Sequence, residues 1–321
     1  MGGALNCVPA GLTVSVSVPA TSANLGPGFD SMGLALDLRD EVTVTTQAEG
    51  FVAEVSGEGA GQVPGDGSHL VIATLRAHLR ERGWDVAGLT LAATNRIPHG
   101  RGLGSSAAAH ASAVLLADAL LPEGERGTDA ELLDAASRLE GHPDNVAPAL
   151  AGGLTVSWDD GGRYRSAFIQ PHSAVRPVVA IPEHPLSTET ARGLLPAQVP
   201  HRVAAANSGR AGLLVHAVTQ DPSLLLPGTR DWLHQDYREP AMPESVALVH
   251  ALRDQGLAAV VSGAGPTVMV LAVGPEQEQS AQAAMRDRLA DSGQSWRVSI
   301  LPVDSVGAKV RVHRSGQPTS G

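Results

Sequence analysis

The stretch PHGRGLGSSAAA, residues 98–109, decides the N-terminal half of the fold. Three glycines, at positions 100, 102 and 104, stand between a predicted strand, LTLAATNRIP (89–98), and a predicted helix, SAAAHASAVLLADAL (106–120). Glycine lets successive backbone N–H groups of a loop point inward, and a helix N-terminus adds partial positive charge. The pattern favours a phosphate site; a flexible turn ahead of an alanine-rich helix is the alternative.

This glycine loop differs from the common motifs of nucleotide and ester chemistry. It contains neither Gly-Lys-Ser/Thr nor G-x-G-x-x-G nor G-x-S-x-G, so a Walker A loop, a dinucleotide fingerprint and a serine-hydrolase elbow are unsupported. Ser105 and Ser106 fall on the first predicted helical turn. There a hydroxyl can cap the helix or reach a Mg²⁺ ion that is bound to phosphate.

Composition bounds the class of protein. The chain has 321 residues, enough for one large or two ordinary domains, and 43% hydrophobic with 17% charged residues fits a globular protein. A formal net charge of −10 argues against nucleic acid or an anionic membrane as the main partner. The single cysteine, Cys7, excludes an internal disulfide and a cysteine-based zinc site. With no membrane-length apolar run and no signal-peptide pattern, we expect a cytoplasmic location.

In the N-terminal half, alternating residues predict strands at 12–20 and 34–47. A helix follows, with Ser68 as its expected N-cap. Thr128 and Glu131 form a predicted capping box for a further helix, which Gly141 ends. A closing strand is predicted at 152–158, and the turn-rich segment 159–167 is expected to link two domains.

In the C-terminal half, strands are predicted at 175–182, 258–262, 267–273 and 296–302. Helical patterns cover about 199–255 and 275–291. This order approximates β-α-β-β-α-β, the split arrangement of ferredoxin-like domains. The final segment, HRSGQPTSG (313–321), is expected to be frayed.

Two further segments carry polar groups on turns. In PATSANLGPGFDS (19–31), Gly26 to Gly28 force a sharp turn that holds Asn24 and Asp30. In RLEGHPDN (138–145), Glu140 lies in the last turn of a helix, where its charge opposes the dipole by roughly 0.3–1 kcal/mol. A nearby cation would remove that penalty, whereas a solvated surface glutamate is the alternative. His142 could be an ordinary loop histidine, and Asp144 could cap the short helix that follows.

Taken together, four segments resemble, in the same order, those of the GHMP small-molecule kinases. They are VPATSANLGPGFDSMGLALDL, IPHGRGLGSSAAA, LEGHPDNVAPALAGG and SGAGPT, and the resemblance covers roughly residues 14 to 275. It implies an α+β, two-domain GHMP kinase fold, with an ATP-binding, ribosomal-protein-S5-like domain at 1–162. A ferredoxin-like domain at 163–321 would contribute to the substrate site.

Within that superfamily, the first and third segments look most like the members that phosphorylate L-homoserine. The resemblance implies ATP-dependent transfer to the side-chain hydroxyl of L-homoserine, giving O-phospho-L-homoserine on the route to threonine. ATP and Mg²⁺ are the implied cofactors, and a homodimer is common among members of the family. No nucleic acid or membrane partner is expected.

The resemblance also implies roles for individual residues. Those matching the ATP phosphate loop are Pro98, His99, Gly100, Arg101, Gly102, Leu103, Gly104, Ser105, Ser106, Ala107 and Ala108. Those matching the magnesium ligands are Ser106 and Glu140. Those matching the substrate pocket are Asn24, Asp30, His142, Thr188, Arg192 and Arg238, and the implied catalytic residues are Asn145, Asp30 and His142. The SGAGPT segment (262–267) is expected to close the phosphate end of the site.

The chemistry of an amino-acid acceptor agrees with these roles. Arginine suits its carboxylate, since a guanidinium can make two parallel hydrogen bonds, and an acid suits its ammonium. Arg192 and Arg238 can bind the carboxylate, and Asp30 can bind the ammonium group. Some other GHMP kinases use an aspartate as base with a nearby lysine, but neither the opening segment nor EGHPDN contains a lysine here. The resemblance therefore implies catalysis by positioning, with Asn145 and Mg²⁺ more important than a proton acceptor.

The sequence departs from the family pattern at two places. His69 stands where many relatives carry an asparagine that helps to hold the nucleotide, and the proline-rich segment 222–240 around Arg238 agrees less well. Two other functions remain open at this point. One is a GHMP kinase for another alcohol, such as mevalonate, and the other is a non-catalytic nucleotide-binding protein on the same fold.

Overall fold

The computed structural model describes residues 5–313, so the segment predicted to be frayed lies outside the described residues except for His313. The strands are β1 (Asn6–Cys7), β2 (Thr13–Asn24), β3 (Gly28–Gln47), β4 (Gly50–Gly57), β5 (Trp84–Asp85), β6 (Gly88–Asn95), β7 (Leu154–Asp159), β8 (Tyr164–Ile169), β9 (Val175–Pro182), β10 (Ala259–Val261), β11 (Val268–Val273), β12 (Trp296–Ile300) and β13 (Lys309–His313). The α-helices are α1 (Leu70–Glu81), α2 (Ser105–Leu120), α3 (Asp129–Glu140), α4 (Val146–Ala151), α5 (Thr188–Gly193), α6 (His201–Thr219), α7 (Leu225–Gly228), α8 (Pro243–Asp254) and α9 (Gly274–Leu289). Short 3-10 helices lie at Glu123–Glu125, Pro222–Leu224 and Asp236–Ala241.

The N-terminal half is a mixed sheet backed by helices. Its strand order is β13-β2-β3-β6-β4, with β7 added to β3 and β8 added to β7. In β2, Val14, Val16 and Val18 are buried while the residues between them are half-buried, as the alternating sequence predicts. The small side chains of α2, such as Ala111, are buried in the same core, which lets this helix pack closely on the strands. The glycine loop at its N-terminus is thereby held on a rigid base.

The C-terminal half contains a four-stranded antiparallel sheet in the order β10-β11-β9-β12. Val178 and Val270, from the sheet, share a core with Leu252 of α8 and Met285 of α9. The order of these elements along the chain confirms the β-α-β-β-α-β prediction, and the two halves confirm the α+β, two-domain architecture.

Two local predictions were wrong. The supposed linker at 159–167 is the tip and second strand of a hairpin, in which β8 pairs with β7 across a turn closed by Asp160 N–H donating to the Arg163 carbonyl (2.8 Å). Ser68 is not the cap of α1, because its N–H and hydroxyl both bond the Asp66 carboxylate, and His69 takes the N-cap position. The strand predicted at 296–302 is confirmed as β12, which ends two residues earlier than predicted, at Ile300. The capping box of α3 and its Gly141 end are also confirmed.

The two sheets do not divide the chain at one point. Strand β8 lies beyond residue 162 yet belongs to the N-terminal sheet, and β13 returns to pair with β2 in that sheet. The domain division 1–162 and 163–321 therefore stays a prediction about folding units and does not describe which strands pair. Within residues 5–313, no helix combines the length and apolar character needed to cross a bilayer.

A buried histidine in α1 makes the fold sensitive to acid. Burial lowers the pKa of His78, and its Nε2 has no hydrogen-bond partner within residues 5–313. The unfolded chain therefore takes up a proton that the folded chain refuses, so stability falls as the pH drops below about 6.5. We expect His78→Leu to lose less thermal stability than the unmodified protein between about pH 7.5 and about pH 5.5. The same decrease in Tm between the two pH values for both proteins, measured by calorimetry, would contradict this.

Candidate active site

The turn between β2 and β3 has an unusual backbone. Asn24, Leu25 and Asp30 have φ values of 70°, 51° and 54°, in the left-handed region that non-glycine residues seldom adopt. Asn24 fixes the turn, because its Oδ1 accepts the Asp30 N–H (3.0 Å) and its Nδ2 donates to the Gly263 carbonyl (2.8 Å). At Gly26, a Cβ would lie 2.3 Å from the Thr229 carbonyl oxygen. Such strain, held by tertiary contacts, is typical of functional turns.

The glycine loop has the curled form that its sequence predicts. Gly100, Gly102 and Gly104 have φ values of 66°, 75° and 73°, and Gly104 is the N-cap of α2 without a capping side chain. The SGAGPT segment packs directly on it, since Ser262 Oγ donates to the Gly102 carbonyl (2.6 Å) and a Cβ on Gly102 would lie 2.2 Å from the Ser262 carbonyl oxygen. The C-terminal half thus contacts the loop expected to bind phosphate.

One cavity at this junction brings most of the predicted site residues together. Its lining from the predicted set is Asn24, Asp30, Pro98, Gly100, Arg101, Gly102, Leu103, Gly104, Ser105, Ser106, Glu140, His142, Asn145, Thr188, Arg192 and Arg238. Gly263 and Ala264 add the expected contribution from SGAGPT. The remaining loop residues lie elsewhere: Ala107 is buried in a core cluster, whereas His99 and the buried Ala108 line a neighbouring cavity.

One part of the cavity carries an acid and two arginines. Arg192 donates to both oxygens of Asp30, at 3.0 and 2.6 Å, and this hydrogen bonding raises the pKa of Arg192. Arg238 is buried, and burial together with the like charge of Arg192 lowers its pKa to about 10. Its Nε has no hydrogen-bond partner within residues 5–313. A carboxylate placed here would relieve the repulsion between the two guanidinium groups.

The two predicted metal ligands contact each other. Ser106 Oγ donates to Glu140 Oε2 (2.8 Å), across the gap between the first turn of α2 and the last turn of α3. His110, one turn further along α2, bonds the same oxygen through Nδ1 (2.9 Å). His110 was not among the predicted site residues. Its spacing of four from Ser106, which places both residues on one helix face, is the signal that could have indicated it. These contacts explain how Glu140 is held against the helix dipole.

The turn after α3 supplies a histidine and an amide. Burial is the largest single effect on His142 and opposes its charged form. The hydrogen bond to the buried Asp144 (Nδ1 to Oδ1, 2.5 Å), together with the negative charges of Asp144 and Glu140, exceeds it, so the pKa of His142 is raised. The prediction that Asp144 could cap α4 was wrong, since Asn145 is the N-cap and makes no side-chain cap bond. Asn145 Oδ1 instead accepts the hydroxyl proton of Thr21 (2.8 Å).

A second cavity lies on the other side of the glycine loop. It shares Gly100, Ser105 and Ser106 with the first, and His69 and His99 also line it. His69 is buried, burial lowers its pKa, and its Nδ1 has no partner among the described residues. The residue that departs from the family pattern therefore lies in a cavity that the glycine loop also lines.

Thr21 is a further residue that the sequence analysis did not single out. It is fully buried, its N–H donates to the Leu103 carbonyl (3.0 Å), and its hydroxyl orients Asn145. Thr21→Val keeps the shape of the side chain and removes its hydroxyl donor. We expect this variant to lower kcat roughly five- to tenfold, with small changes in the KM values for the two expected substrates, ATP and L-homoserine. Thr21→Ser should retain most of the activity. Equal rates for the valine and serine variants in steady-state assays would contradict this role for the hydroxyl.

The fold and the site together define a small-molecule kinase. The GHMP kinases N terminal domain model matches residues 69–153 and the GHMP kinases C terminal model matches residues 210–291. The chain is 51% identical to homoserine kinase of Streptomyces coelicolor, over 92% of this chain and 94% of the relative. It is 49% identical to homoserine kinase of Clavibacter michiganensis, over 95% of this chain and 96% of the relative.

A solved structure agrees with these relatives. The crystal structure of homoserine kinase from Cytophaga hutchinsonii matches with a TM-score of 0.83 and 28% identity, over 93% of this chain and 97% of that one. The chain belongs to the homoserine kinase family of the GHMP kinases.

Proposed function

We propose that this enzyme transfers the γ-phosphoryl group of ATP to the side-chain hydroxyl of L-homoserine, giving O-phospho-L-homoserine for threonine synthesis. The observation that carries the proposal is the cluster of Asp30, Arg192 and Arg238 in the same cavity as the glycine loop. The names of relatives at about half identity over nearly the whole chain support it. We also propose a cytoplasmic location, and a homodimer stays a prediction.

The acceptor is an amino-acid zwitterion, and the Asp30–Arg192 pair matches its two charges. Without substrate these side chains satisfy each other, with both partners about one-third exposed. The ammonium group of L-homoserine would take over Asp30, and its carboxylate would take over Arg192 together with Arg238. Asp30 thus exchanges the guanidinium of Arg192 for the ammonium of the substrate, and Arg192 exchanges the carboxylate of Asp30 for that of the substrate. Binding therefore leaves neither side chain without an opposite charge. Asn24 and Thr188 line the same side of the cavity.

On the donor side, the curled glycine loop and the N-terminus of α2 would hold the phosphates through backbone N–H groups. The hydroxyl of Ser106 and the carboxylate of Glu140 are hard oxygen donors already in contact, so they fit Mg²⁺ that is also held by phosphate oxygens. When bound, Mg²⁺ neutralises phosphate charge. Asn145 and His142 would orient the transferred group and the acceptor, consistent with catalysis mainly by positioning.

The other two functions are less well supported. A mevalonate-type acceptor has no ammonium group and would leave Asp30 without a charged partner from the substrate. A non-catalytic nucleotide-binding protein would have no need of Ser106, Glu140 and Asn145 together. The relatives named homoserine kinase favour neither alternative.

The direct test is ADP release by the purified protein with ATP and Mg²⁺, comparing L-homoserine, L-serine, L-threonine and mevalonate. We expect strong dependence on L-homoserine, with phosphorus NMR showing a phosphate monoester on its side chain. Turnover of mevalonate alone would overturn the acceptor assignment. Tight ATP binding without turnover of any alcohol would instead favour the non-catalytic protein.

A further inference from the structure

Buried beneath the acceptor cavity, His234 connects the strained turn to Arg238. His234 has no exposed surface, and it lies just before the short helix Asp236–Ala241 that carries Arg238. Its Nε2 lies 2.8 Å from the Gly26 carbonyl oxygen, and its Nδ1 lies 3.1 Å from Nη1 of Arg238. One imidazole therefore bridges the turn that carries Asp30 and one of the two arginines proposed to bind the acceptor.

The partners of His234 determine its protonation. A backbone carbonyl can only accept a hydrogen bond, and a guanidinium can only donate. Nε2 must therefore carry the proton given to Gly26, while Nδ1 accepts from Arg238 through its lone pair. His234 is thus a neutral imidazole of one tautomer. Burial lowers the pKa of His234; the Asp231 carboxylate, whose Oδ1 lies 3.7 Å from Nε2, raises it by less, and the charge of Arg238 lowers it again. The net direction is downward, in agreement with the neutral state.

Neutrality of this partner has a consequence for Arg238. Arg238 Nη1 also donates to the Gly263 carbonyl (2.9 Å), so both groups that orient this guanidinium are uncharged. Within residues 5–313, no carboxylate lies within salt-bridge distance of Arg238. A carboxylate at position 234 would fix the guanidinium equally well but would neutralise it and compete with an anionic acceptor group. A neutral histidine fixes it and leaves its charge available.

Stacking reinforces the same connection. The Phe29 ring stacks on His234 with centroids 5.2 Å apart and an interplanar angle of 28°. The guanidinium carbons of Arg238 and Arg192 lie 5.7 and 5.6 Å from the centre of that ring. Because Phe29 directly precedes Asp30, the turn, the imidazole and both arginines form one packed unit.

We infer that His234 is a positioning residue for acceptor binding, which holds Arg238 toward the cavity through Nδ1 without neutralising it. This inference rests on the proposed function, because Arg238 is taken as a ligand of the L-homoserine carboxylate. His234 itself is fully buried and does not line the cavity. It should therefore affect binding of the amino acid far more than binding of ATP.

Two substitutions separate the two hydrogen bonds. In His234→Asn the amide oxygen can take the place of Nδ1 and still accept from Arg238, while the bond to Gly26 is lost. In His234→Gln the amide nitrogen can take the place of Nε2 and still donate to Gly26, while Arg238 loses its acceptor. His216→Gln, at an exposed position in the last turn of α6, is the matched control.

Steady-state kinetics of all three full-length variants tests the inference. We expect His234→Gln to raise the KM for L-homoserine about tenfold, as for a lost hydrogen bond to a charged group, and His234→Asn to raise it much less. The KM for ATP should change less than twofold in both, and His216→Gln should match the unmodified enzyme. L-homoserine should raise the Tm of His234→Gln as it does that of the unmodified enzyme, but the concentration needed for half of this increase should be about tenfold higher.

The outcomes separate this inference from the proposed function. If the unmodified enzyme turns over L-homoserine and the two His234 variants raise its KM equally, or raise the KM for ATP as much, the positioning role is wrong. Unchanged KM values in both folded variants would also overturn it. If the unmodified enzyme does not use L-homoserine, the proposed function fails first, whatever the variants do.

Discussion

Asp30→Asn is expected to raise the KM for L-homoserine roughly 100-fold, because the ammonium group of the acceptor loses its charged partner. Asparagine is the suitable replacement, since Asp30 has a φ of 54° and asparagine tolerates this left-handed backbone better than most residues. The backbone N–H that donates to Asn24 is kept in the variant. Arg192, released from Asp30, would remain free to bind the substrate carboxylate.

The measurement is the KM for each substrate together with Tm. The KM for ATP and the Tm should change little, because Asp30 is about one-third exposed and the phosphate loop is not altered. Asp37→Asn, at an exposed position on the same strand β3, is the matched control for removal of one negative charge. An L-homoserine KM equal in Asp30→Asn and Asp37→Asn would refute the role of Asp30.

Glu140→Gln is expected to lower kcat about 1,000-fold, equivalent to about 4 kcal/mol of transition-state stabilisation. Glutamine keeps the size of the side chain and can still accept from Ser106, but it lacks the negative charge that suits Mg²⁺. Because a carboxylate at the end of α3 opposes the helix dipole, we expect the Tm of this variant to be equal to or higher than that of the unmodified enzyme.

A metal-binding measurement separates this effect from a general loss of activity. Mn²⁺ binding in the presence of ADP, followed by electron paramagnetic resonance, should be weaker in Glu140→Gln than in the unmodified enzyme. Asp129→Asn, an exposed position in the first turn of the same helix, serves as the control and should bind Mn²⁺ normally. Normal Mn²⁺ affinity with a low kcat would assign Glu140 a role other than metal binding.

Local sequence rules accounted for the glycine loop, the capping box of α3 and the sharp turn at Gly26 to Gly28, and the structure confirms all three. These features depend on the backbone freedom of glycine or on residues three apart, so neighbouring residues suffice to specify them. The hairpin of β7 and β8, by contrast, was not predicted. The turn-rich sequence at its tip is also typical of a linker, and only the pairing of β8 with β7 shows that this segment belongs to a sheet.

The sequence by itself determined the order of strands and helices typical of the α+β class, and its four motifs determined the resemblance to the GHMP kinases. That resemblance implied the two-domain architecture, which is confirmed, and the residues assigned to each side of the site, which stay predictions. Only the tertiary structure decided which groups meet. It paired Asp30 with Arg192, set His110 against Glu140, oriented Asn145 with Thr21 and placed neutral His234 beneath Arg238. Arg192 and Asp30 are separated by 162 residues, and Asn145 and Thr21 by 124. Contacts over such distances depend on how the sheets and helices pack, which no local pattern specifies.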